Sequence, residues 1–86
     1  MNKKHAILSD ALEARDAEVM GYQINIDNYR LAVEHIEAMT PEDQRDLIPF
    51  RDDLQARLQA ERLEQRKARV IRDVIAAQLA EMEPAP

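Results

Sequence analysis

Few side chains in this sequence are equipped for covalent chemistry. The chain has one serine (Ser9), one threonine (Thr40), two histidines (His5 and His35) and no cysteine. Ser9 and His5 are four residues apart, so one helical turn would bring a hydroxyl to an imidazole. Nucleophilic catalysis also needs a third group to orient the base, and no neighbouring residue is assured of that role. His35 lies between Glu34 and Glu37 and reads as a solvated helix residue. The adjacent acids Glu42–Asp43 and Asp52–Asp53 lack the spaced ligands and the glycine of a calcium loop. No HExxH or ExxH pair and no glycine-rich phosphate loop is present. The expectation is a non-enzymatic protein with no catalytic residue, no cofactor and no metal.

Binding chemistry is better represented. Arg57, Arg62, Arg66, Lys67, Arg69 and Arg72 stand against only Glu61 and Glu64 within residues 57–72. Arg62, Arg66 and Arg69 share one side of a helix, as do Arg57, Glu61 and Gln65. Such a stripe suits nucleic-acid phosphates or an acidic partner. It also suits a solvated helix face, or pairing with the acidic half of the same chain or of a second copy. That acidic half is pronounced: residues 5–53 hold twelve acids and four arginines. The whole chain has a net charge of −5. The pI near 4.9 and the lack of aromatics among the basic residues weigh against nucleic acid as the first reading.

These residues must be positioned by helices. The chain has 86 residues, 45% hydrophobic and 34% charged, with one glycine and four prolines. That composition favours amphipathic helices over sheet or disorder. Leu8, Leu12, Val19, Tyr22, Ile26, Tyr29, Val33 and Ile36 follow the alternating three- and four-residue spacing of a heptad seam, which only Arg15 interrupts. The spacing predicts a helix over about 4–39, with Ser9 or Asp10 able to cap a later start. Thr40, Pro41, Glu42 and Asp43 are suited to open a short helix over about 41–47. Pro49 disfavours a helical Ile48 and can begin the next helix. A second long helix is expected over about 50–82, with residues 83–86 as a disordered tail. Phe50, Leu54 and Leu58 form one stripe of it. Residues 61–69 offer only Leu63 and Ala68 for burial, and Val70, Ile71, Val74, Ile75, Leu79 and Met82 resume an apolar face.

The predicted fold is therefore all-α: a single domain, an antiparallel hairpin of two long helices with a short connecting helix and coiled-coil-like packing. Such a hairpin leaves apolar residues unused. Met20, Ile24 and Leu31 lie opposite the seam of the first helix, and Leu63, Val70 and Val74 form a comparable set on the last. Helices apolar on two faces belong to larger assemblies. The leading expectation is a homodimer; the alternatives are coverage by the middle helix or by another protein. Gly21 lies beside the first stripe. It would admit the backbone of a partner, or stand as a tolerated surface glycine.

The stretch "AILSDALEARDAEVMGYQINIDNYRLAVEHI", residues 6–36, resembles the small all-helical accessory proteins encoded in early regions of lambdoid phages and enterobacterial prophages. The resemblance implies a non-catalytic protein that modulates a host or phage machine by binding it. It carries over no functional residue. The sequence has no run near the roughly 18 apolar residues of a membrane span, so a cytoplasmic protein is expected. The absence of cysteine fits a reducing compartment. Three roles follow, in order: a protein-interaction module, a nucleic-acid-binding accessory factor using residues 57–72, and an assembly adaptor acting through oligomerisation.

Overall fold

The computed structural model describes residues 2–82 and is all-helical over them. Helix α1 spans Lys3–Glu37, α2 spans Pro41–Arg45 and α3 spans Ile48–Met82. The two long helices have 35 residues each, so each runs about 52 Å at 1.5 Å per residue. They lie antiparallel, and the molecule is an elongated rod of 64 × 19 × 16 Å. The tail expected at 83–86 lies outside the described residues.

Each boundary has a local cause. The Asn2 side chain accepts from the backbone N–H of Lys4 at 3.0 Å and of His5 at 3.4 Å. This satisfies N–H groups that a helix start otherwise leaves unpaired. Asn2, and not Ser9 or Asp10, is therefore the N-cap. Helix α1 stops at Glu37, two residues short of the expected Met39. The Gln44 side chain donates to the Met39 carbonyl at 2.7 Å and to the Glu37 carbonyl at 3.3 Å, tying down the end of α1. Thr40 caps α2 as expected, its hydroxyl accepting from the Asp43 N–H at 3.3 Å. Helix α2 ends at Arg45 rather than at residue 47. Helix α3 begins at Ile48, ahead of the expected Phe50. Pro49 sits in its first turn, where a missing N–H costs nothing, and the Leu47 carbonyl accepts from the Arg51 N–H at 2.8 Å.

The seam closes as the heptads require. Val19, Ile26, Val33 and Ile36 of α1 are buried, with Leu8, Leu12, Tyr22 and Tyr29 partly buried beside them. Arg15, the interruption, is exposed and bonds Glu18 at 2.7 Å. From α3 the buried residues are Leu54, Leu58, Gln65, Ala68 and Leu79. Val33, Ile36 and Leu54 form a cluster near the corner, with Tyr29, Ala32 and Leu47 against it.

Three expectations about α3 are corrected. Leu63, offered for burial within 61–69, is exposed with the rest of its outer stripe, and Gln65 is buried in the seam instead. By helix geometry Gln65 shares the side of Leu58 and Ala68, whereas Leu63 points about 160° away. The side of the helix shared by Glu61 and Gln65 is for the same reason not a solvated face. Phe50 does not share the burial of Leu54 and Leu58 but is half exposed at the corner. Helix α2 covers neither apolar stripe: it is five residues long and buries none of them.

Candidate interaction surfaces

The first notable polar group is inside the seam. Gln65 is 5% exposed and is the one buried polar residue among those described. Its side-chain amide donates to the Val19 carbonyl at 3.2 Å and to Gln23 Oε1 at 2.9 Å. Gln23 in turn donates to Asp27 Oδ1 at 3.0 Å. One amide thus crosses between helices and begins a chain that reaches the surface. Among the described residues no buried side-chain nitrogen or oxygen lacks a partner, as a buried polar group requires. The sequence signal for it was a gap: 61–69 had too few apolar residues to fill the seam.

The unused apolar residues are uncovered. Met20, Ile24 and Leu31 are 52–61% exposed, and Leu63, Val70 and Val74 are 45–61% exposed. On a wheel of 100° per residue, each set falls roughly 130–180° from the buried residues of its own helix. The two stripes therefore lie on the outer backs of α1 and α3. The hairpin does not merge them into one surface. Gly21 is exposed beside the first. A Cβ added there would meet no atom of the described residues within 4 Å beyond its immediate helical surroundings. Ile7 and Ile71 are also half exposed.

The six basic residues divide into two groups. Arg57 bonds Asp53 at 2.8 Å, Lys67 bonds Glu64 at 3.0 Å, and Arg72 bonds Asp73 at 3.1 Å and reaches Asp16 of α1 at 3.8 Å. The Asp53 hydrogen bond and charge, with a smaller contribution from Tyr29, hold the Arg57 guanidinium above its usual pKa. Arg62, Arg66 and Arg69 have no ion pair or side-chain hydrogen bond among the described residues. These three line an open groove of about 510 Å³ between the helices, together with Gln59 and Gln65 of α3 and Gln23, Asp27 and Arg30 of α1. Arg30 faces it while paired with Asp27 at 3.9 Å and Glu34 at 3.1 Å.

The histidines and Ser9 all lie on α1, at its two ends. His5 and Ser9 are partly buried, one turn apart near the start of α1. His35 is exposed in the last turn of α1. Asp52 and Asp53 bond different arginines, Arg51 and Arg57. Among the described residues no three His, Cys, Asp or Glu side chains gather as a metal-holding group, and no helix is long and apolar enough to cross a membrane. No family model, curated protein or solved structure matches the chain.

Proposed function

We propose that this protein is a small helical interaction module that acts by binding and not by catalysis, and that its first partner is a second copy of itself. The observation that carries this reading is the pair of apolar stripes on the backs of α1 and α3, each with three large residues close to half exposed or more. Burying one such side chain stabilises by about 1.5–3 kcal/mol at most, so pairing two stripes supplies several kcal/mol toward association.

Charge favours one pairing. At 100° per residue, Glu13 and Asp16 adjoin the α1 stripe and Lys67 adjoins the α3 stripe, whereas Asp27, Arg66 and Arg69 turn toward the groove between the helices. Back-to-back contact between two α1 helices would oppose acids to acids. Contact between α1 of one copy and α3 of the next avoids that repulsion and sets the acids beside Lys67, which favours this arrangement. The contact is heterologous: each copy offers one face of each kind. A dimer made this way leaves one α1 back and one α3 back free, so further copies can add at either end. A host or phage protein of the kind implied by the resemblance of residues 6–36 would dock on a back left free.

Sedimentation equilibrium of two single variants and their mixture tests this. Ile24→Glu spoils the α1 back, and Val70→Glu spoils the α3 back. Each alone is expected to be monomeric, and the equal mixture is expected to form dimers, because each contributes the face the other lacks. A wild-type chain that is strictly monomeric at high micromolar concentration would sink the reading.

A further inference from the structure

The groove side of the hairpin carries an arrangement that self-association does not use. Arg62, Arg66 and Arg69 recur at offsets of four and three, so they stand on successive turns of one side of α3, spanning about 10 Å along its axis. Like charges at this spacing repel by a few tenths of a kcal/mol per pair. The neighbouring basic residues Arg57, Lys67 and Arg72 each have a carboxylate within reach. The three in the groove have none among the described residues, although the chain is rich in acids. Arg30 stands on the opposite wall, and Asp27 is the one carboxylate in the lining. Asp27 is already bonded by Gln23 and approached by Arg30. The groove is therefore a locally cationic channel, open to solvent, on an otherwise acidic rod.

We infer that this channel holds the phosphodiester backbone of a single nucleic-acid strand, with Arg62, Arg66 and Arg69 as its phosphate contacts. A guanidinium presents a planar fork that matches phosphate oxygens in bidentate fashion. A row of three such forks along a groove suits a polymer with one charge per repeat. A broad acidic protein surface fits less well, because Asp16 and the other acids of α1 beside the channel would repel it. A narrow strand keeps its phosphates among the arginines, and at about 0.1 M salt the remaining acids are screened beyond roughly 10 Å. No aromatic side chain lines the groove, so there is no stacking platform. Binding is then independent of sequence and governed by counterion release.

Fluorescence anisotropy of a labelled oligothymidine, titrated with the full chain from low to moderate salt, tests this. Three phosphate contacts on a single strand correspond to a slope of log K against log salt of about −2. The triple variant Arg62→Gln/Arg66→Gln/Arg69→Gln is expected to lose binding at every salt concentration. Arg45→Gln/Arg57→Gln/Lys67→Gln makes the same change in net charge away from the groove and is expected to keep affinity within about threefold of wild type, since unspecific charge loss is screened. Circular dichroism checks that both remain helical. No binding at the lowest salt overturns the inference, as does equal loss in the two triple variants. Stronger binding of polyglutamate, or of pyrophosphate, than of the oligonucleotide overturns it too. Self-association is read separately by sedimentation, so failure of either proposal leaves the other standing.

Discussion

Gln65 offers the most direct test of what holds the two helices together. Truncation to alanine removes two hydrogen bonds, at 3.2 and 2.9 Å, from a side chain that is 5% exposed. Neutral hydrogen bonds contribute about 0.5–1.5 kcal/mol each, or about 1–3 kcal/mol for the pair. The lost methylene adds about 0.8 kcal/mol. Release of a glutamine held in one rotamer returns up to about 1.5–2 kcal/mol of entropy. The net expectation is a loss of roughly 1–2 kcal/mol. The Val19 carbonyl is not orphaned, because it sits inside α1 and has a helical acceptor role to fall back on. Gln23, only partly buried, can turn to water. For the same reasons Gln65→Leu should lie within about 1 kcal/mol of wild type, since an apolar group of similar size replaces the bonds with burial. A double-mutant cycle of Gln65→Ala and Gln23→Ala isolates the 2.9 Å amide–amide bond and should return a coupling of about 1 kcal/mol. Urea denaturation followed by circular dichroism, at one fixed protein concentration because association adds to stability, gives all four corners. Additivity within about 0.3 kcal/mol would refute the bond between the two amides as a stabilising contact.

Gly21→Ala should stabilise the chain by about 1 kcal/mol, because a helical glycine costs that much relative to alanine and the new methyl meets open space. A rise in the urea midpoint with unchanged sedimentation is the expected result. Ile36→Ala should be the most damaging single change, at about 2–4 kcal/mol, since Ile36 is the most buried hydrophobic residue and belongs to the corner cluster. Arg72→Gln should cost less than about 1 kcal/mol despite crossing to Asp16, because the pair is long and solvent-exposed. Thermal melts of these variants side by side would order them.

The presence of α1, the residues that face its seam and the place of the corner were all legible in the order of residues. Val19, Ile26 and Val33 recur every seventh position, and a helix has no other way to bury such a set along one line. Thr40 and Pro41 were legible for a similar reason, since capping is local chemistry. The stripe of Met20, Ile24 and Leu31 was legible as a residue set too, because its angle depends only on the helix. Tertiary structure decided what stood opposite. The burial of Gln65 in place of Leu63 depends on Val19 and Gln23 presenting a carbonyl and an amide at its level, and no feature within α3 encodes that meeting. The division of the basic run was local: Asp53, Glu64 and Asp73 stand within four residues of Arg57, Lys67 and Arg72 on α3 itself. Tertiary structure decided only that Arg62, Arg66 and Arg69, unpaired among the described residues, face a groove completed by Gln23, Asp27 and Arg30 of α1. Pattern within one helix is set by its own period; pairing between helices is set by what the partner places within about 3 Å.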